Sequence, residues 1–232
     1  NYASSGSCIL LSANSASDDK FIIIDNNTFT ENENTGDSGA IAGAIKANTQ
    51  QAIFTGENFF YKNSVRYNSD LSDASGAHGA SIYLAQFNRK PYTLSDLYFE
   101  NDYSFNSAGS LFVYSRDERI SGSKGNDVIV TRCKFVKCES DEFGGAISTG
   151  IVKENGEAEG NNDIVISYCD FIDCKSGSGG AIFISLGTRT GGEQARIQFC
   201  TFENCIGGRG SAIHSESYEF NLENSTFKNQ EQ

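Results

Sequence analysis

The stretch that decides the fold is Asp163-Ile-Val-Ile-Ser-Tyr-Cys-Asp-Phe-Ile-Asp-Cys-Lys-Ser-Gly-Ser-Gly-Gly-Ala-Ile182. It holds two short units. A β-branched run leads to Phe171 and then, three positions on, to Cys174. The second unit is Gly179-Gly-Ala-Ile182, small residues closing on an aliphatic one. Neither piece is long enough for an amphipathic helix, and each is bounded by turn residues, so both read as short strands.

Both units recur along the chain. The first appears at Phe29, Phe60, Phe99, Phe135, Phe171, Phe202 and Phe227, with successive spacings of 31, 39, 36, 36, 31 and 25. Its third following position is Asn32, Asn63, Asp102, Cys138, Cys174, Cys205 and Gln230. The second unit closes at Ile9, Ile41, Ile82, Leu111, Ile147, Ile182 and Ile213. Self-similarity at this period marks a solenoid. One coil cannot bury its apolar face alone, but stacked coils share a core at ~4.8 Å spacing. Columns of Phe and of Ile or Leu would line the interior. Asn at the third position can ladder to the same position in the next coil. A β-sandwich of many short strands is the competing architecture, but sandwiches do not repeat one motif in one order. The expectation is therefore one domain over residues 1–232, a right-handed parallel β-helix of about seven coils with uncapped ends.

Alternating Gly-Gly-Ala-Ile and Phe-x-x-Asn units resemble the repeat region of the polymorphic membrane proteins of chlamydiae and related surface-exposed right-handed β-helix proteins. The resemblance covers nearly the whole chain and implies a secreted, adhesive passenger region. The departure is Cys in place of Asn at 138, 174 and 205. No membrane barrel follows, so an autotransporter role is not carried over.

Composition sets outer limits. The 232 residues carry a net charge of −12, with 24 Gly, one Pro and no Met or Trp. The acidic balance argues against nucleic acid, and no apolar run is long enough for membrane insertion as a helix. A missing initiator Met suggests processing or a fragment, and Asn1 to Ser7 does not read as a signal peptide.

Six of the seven Cys form i, i+5 pairs: Cys133 with Cys138, Cys169 with Cys174, and Cys200 with Cys205. Two arrangements are open. Each coil closes its own corner with a disulfide, the favoured one, or the columns stack as free thiols. Disulfides would imply an oxidising, extracellular compartment. Cys8 is left over. Two sequons, at Asn26 and Asn224, lie three residues before a repeat Phe, a position that faces out by alternation, so both are expected glycosylation sites.

No cofactor or metal site is expected, since His78 and His214 are remote from the Cys pairs. The acid pairs Asp18 and Asp19, Asp70 and Asp73, and Asp141 and Glu142 do not recur at one repeat position, and neither His sits in a nucleophile motif. The chain is therefore not expected to be an enzyme, with a polysaccharide lyase or hydrolase a distant third reading. A stripe after the repeat Ile, made of Leu10, Ala42, Tyr83, Phe112, Ser148, Phe183 and His214, should face out. It would serve as a contact or carbohydrate platform, or lie under loops such as 151–162 and 187–194.

The termini suggest the leading function. Residues Asn1 to Ile9 and Phe227 to Gln232 are complementary part-coils. Joined across two copies, the next Phe falls 34 residues on, within the internal range of 25 to 39. This points to an extracellular filament subunit whose partner is itself, stacked head to tail with a rise of roughly 34 Å. The alternative is a surface adhesin or glycan-binding module.

Overall fold

The structure, a computed structural model, describes residues 8–12, 21–35, 42–48, 52–66, 78–86, 91–115, 127–151, 163–185, 194–217 and 219–230. All of its regular elements are strands. They form four parallel sheets visited in turn, here named A to D, so successive strands of one sheet come from successive rungs. The rung that contains the opening stretch runs Ile164–Ser167 (sheet B), Asp170–Ile172 (C), Lys175–Ser178 (D) and Ile182–Ile184 (A). Sheets A, B and C each carry seven strands and sheet D six, every one paired to the same element of the neighbouring rung. The chain is a parallel β-helix, wound in the right-handed sense that parallel crossovers adopt.

Register follows the repeat. Phe29, Phe60, Phe99, Phe135, Phe171, Phe202 and Phe227 pair one on the next. Their rings stack with centroids 4.7 to 4.9 Å apart and planes within 13° of parallel. The strand spacing sets that distance, and each ring contact contributes about 0.5–1.5 kcal/mol beyond burial. Phe60 to Phe202 are fully buried, whereas Phe227 keeps its place in the column but is 43% exposed.

The aliphatic column corrects one assignment. Its members are Ile9, Ile45, Ile82, Leu111, Ile147, Ile182 and Ile213. Ile45 takes the place expected of Ile41, and Ile41 lies outside the described residues. The local sequence offers Gly-Ala-Ile twice, ending at 41 and at 45. Backbone geometry selects the second. Three residues before each aliphatic residue the chain is left-handed, at Ala42, Gly79, Ala108, Gly144, Gly179 and Gly210. The next position is crowded: a Cβ on Gly43 would lie 2.4 Å from the Ala80 carbonyl oxygen. Ile45 is followed by Lys-Ala-Asn, which continues the strand, whereas Ile41 is followed by Ala42-Gly43 at the turn.

Two further corners complete each rung. The corner between sheets B and C places Asn26, Asp96, Arg132, Tyr168, Phe199 and Asn224 at φ between 48° and 61°. The corner between C and D does so for Glu31, Lys62, Asn101, Lys137, Asp173, Asn204 and Asn229, at φ of 50° to 56°. Left-handed backbone at a residue other than Gly costs about 1 kcal/mol, and rung stacking holds it in place.

Candidate functional site

The chemistry-bearing side chains collect at these corners. At most of the B-to-C and C-to-D corners a polar or thiol side chain just beyond the left-handed residue turns inward and meets the backbone of the preceding rung, whereas Leu97, just after Asp96, is buried there as an apolar side chain. At the C-to-D corner Asn32 Nδ2 donates to Asn63 Oδ1 at 2.8 Å, and Asn63 Nδ2 donates to the Phe29 carbonyl at 3.1 Å. The Asn63 backbone N–H donates to Asp102 Oδ1 at 2.9 Å. Gln230 closes the column by donating to the Phe202 carbonyl at 3.0 Å. The B-to-C corner matches it, with Asn58 Oδ1 accepting from the Asn27 N–H and Asn58 Nδ2 donating to the Ile24 carbonyl. The Asn ladder anticipated from the third position after Phe is therefore present.

The six paired Cys take over these positions in later rungs. Cys138, Cys174 and Cys205 lie 3.7 to 3.9 Å from the carbonyls of Phe99, Phe135 and Phe171. Cys133, Cys169 and Cys200 make the same contact to Leu94, Val130 and Ile166 at 3.7 to 3.8 Å. All six are buried free thiols. This corrects the favoured pairing of Cys133 with Cys138, Cys169 with Cys174 and Cys200 with Cys205. Within a rung the strand Lys134–Val136 separates the first pair, and the other two pairs are separated likewise. Three extended residues hold the Cα atoms roughly 10 Å apart, beyond the ~7 Å that a disulfide spans. Burial pushes the Cys169 and Cys174 thiols well up, which keeps them protonated.

Asp102 stands where the amide and thiol columns meet. It is fully buried and accepts from Ser81 Oγ at 2.5 Å as well as from Asn63. Burial pushes its carboxyl up to about 7, and the hydrogen bonds from Ser81 and Asn63 offset only part of that rise. The repeat places Asp102 third after Phe99 and assigns it no chemistry. A carboxylate at a position otherwise Asn, Cys or Gln was the available signal.

The stripe after the aliphatic column is largely covered. Tyr83, Phe112, Ser148 and Phe183 are buried, and only Leu10 is strongly exposed. Register replaces Ala42 in this stripe by Lys46. The His78 ring lies on Phe112 at 4.5 Å and the Phe143 ring on Phe183 at 4.6 Å. The expected covering loops fall almost wholly outside the described residues. At the stripe's far end Ser178 Oγ and His214 Nδ1 are hydrogen-bonded, a pair that sequence spacing did not bring together. The pair satisfies the buried Ser178 hydroxyl, and the His214 ring meets the Phe183 ring edge-on with centroids 5.3 Å apart.

Of the acid pairs, Asp18, Asp19, Asp70 and Asp73 lie outside the described residues. Asp141 and Glu142 are exposed, and Asp141 accepts from the Tyr103 hydroxyl at 3.1 Å. Among the described residues no group of three or more His, Cys, Asp or Glu is placed to hold a metal. Both sequon residues, Asn26 and Asn224, are exposed. An exposed aromatic pair that the sequence reading missed sits in the same corner column: Tyr168 and Phe199 stack at 4.9 Å with planes 6° apart. No family model matches the chain, and neither a curated protein nor a solved structure matches it.

Proposed function

We infer that the chain is a structural subunit of an extracellular filament, stacked head to tail through its terminal rungs. One observation carries this reading. The Phe column and the in-register parallel sheets run to a last described rung on which Phe220, Leu222 and Phe227 are 39%, 42% and 43% exposed. Among the described residues that edge has a strand partner on one side only, so it offers backbone groups in the spacing of a further strand, together with an aromatic ring at the spacing of a further ring. A second copy supplies both, and repeating the contact gives an open, non-closing assembly.

The adhesin or glycan-binding reading has less support. The aromatic stripe it relied on lies mostly under cover, which leaves it the family resemblance. The Cys columns, held as thiols, no longer argue for an oxidising compartment, so the extracellular assignment rests on the sequons and the resemblance. Electron microscopy of the purified full chain over a wide concentration range tests the filament. Unbranched fibres one β-helix wide are expected, and single particles at every concentration would overturn the reading.

A further inference from the structure

The two sequon asparagines occupy one structural position. Asn26 and Asn224 each open the corner between sheets B and C, at φ of 53° and 48°. Asn tolerates this left-handed backbone better than most residues, and the turn directs its side chain away from the core. Their amide nitrogens are open. Asn26 Oδ1 accepts from the Glu57 N–H at 3.1 Å, and among the described residues Asn26 Nδ2 donates to none. No described residue is hydrogen-bonded to the Asn224 amide group. The sequon hydroxyls of Thr28 and Thr226 belong to exposed residues as well.

The same corner column holds Tyr168 and Phe199. Register places Asn224 beside Phe199: Gln198 pairs with Glu223, Thr201 with Thr226, and the Cys200 N–H donates to Ser225 Oγ at 3.2 Å. One face of the Phe199 ring lies on Tyr168. The opposite face looks along the helix axis toward the Asn224 rung, ~4.8 Å away. A pyranose linked to Asn224 would start at the open face of that ladder. At Asn26 the neighbouring rung offers the Gly56-Glu57 turn instead of a ring.

We propose that Asn26 and Asn224 carry N-linked glycans, and that the first sugar on Asn224 packs its C–H face against the Phe199–Tyr168 ladder. In the transfer, Asn224 Nδ2 attacks C1 of the N-acetylglucosamine of a lipid-linked oligosaccharide diphosphate. The new N–C1 bond replaces the C1–O bond, the lipid diphosphate leaves with that electron pair, and the amide loses one proton. Nothing at Asn26 is sacrificed, because Oδ1 keeps its bond from Glu57 after Nδ2 is substituted. The proposal goes beyond the filament reading and does not depend on it.

The test uses the full chain secreted from a eukaryotic host. Intact-mass spectrometry should find two glycans, with one lost in Asn224→Gln and one in Asn26→Gln. Proton NMR should place the N-acetyl methyl and ring protons of the Asn224-linked sugar upfield of those at Asn26, through the Phe199 ring current. Phe199→Leu keeps apolar bulk at the corner and should abolish the upfield shift while both glycans remain. An unmodified Asn224 overturns the site. Equal shifts at the two glycans, or a shift that survives Phe199→Leu, overturns the stacking.

Discussion

The early and late rungs close equivalent corners with different chemistry. Around Asn58 and Asn63 the inward side chain is an amide that donates and accepts, linking rung to rung at 2.8 to 3.1 Å. Around Cys174 and Cys205 it is a thiol, 3.7 Å from the equivalent carbonyl. At Asn63, Cys174 and Cys205 the backbone is the same, the preceding residue standing at φ of 52° to 55°, whereas the Asn58 corner is turned by Gly56 at φ of 69°. The difference teaches that an amide and a thiol both serve where the corner side chain approaches the preceding carbonyl, so no particular hydrogen bond is required. An amide makes strong contacts but depends on its neighbours being complete, since a buried unmatched donor is expensive. A thiol gives weaker bonds yet is itself apolar enough to be buried without penalty.

Asp102 is where that contrast breaks most sharply. Its folded carboxyl titrates near 7, above the usual carboxylate value, because of burial. The stabilising proton is therefore fully bound below about pH 4, and stability is lost as pH rises through 7. Asp102→Asn, which extends the amide ladder by one rung, should remove this dependence. It should stabilise the chain by up to about 4 kcal/mol at pH 8 and by little at pH 4, read from urea unfolding at the two pH values. Equal effects at both would remove Asp102 as the junction's titrating group.

Asn63→Ala should cost about 3 kcal/mol at pH 7 in the same unfolding assay, because it strips Asn32 Nδ2 of its acceptor and the Phe29 carbonyl and Ser81 hydroxyl of their amide donor. Cys174→Ala, at the same corner three rungs farther on, should cost only about 1–2 kcal/mol, the loss of one buried sulfur and a small void. Equal costs would mean that the two ladders are energetically alike. The smallest effect is chemical. Exposed Cys8 should react first with a thiol reagent in the native state, and the six buried Cys only as the chain unfolds, followed by mass spectrometry. Early labelling of Cys138 or Cys200 would show that the thiol corners open more readily than the amide ones.

The sequence carried much of this architecture openly. Every Phe of the repeat landed in the column, because a buried aromatic between turn residues recurs with a strong pattern. The aliphatic column was legible except at Ile41 against Ile45, where two successive Gly-Ala-Ile triplets differ in which Gly fits a crowded backbone. The Cys pairs misled because i, i+5 spacing is short along the chain, while the structure spends those residues on an extended strand. Tyr168 and Phe199 share with the sequon asparagines the place three residues before a repeat Phe, but Glu57, Asp96 and Arg132 stand there too, so no residue type repeats and only register shows that the two rings meet.

The sequence by itself determined that this chain is a stacked solenoid, since periodic apolar residues too sparse for one coil to bury must find partners in the next. Only the tertiary structure decided what the corner residues do. Their partners lie one rung away, 25 to 39 positions along the chain, so local spacing carries no information on whether a Cys meets a Cys, a carbonyl or water. Rung-to-rung register made the choice, and it placed the six Cys in two thiol ladders and Asn224 beside an open aromatic face.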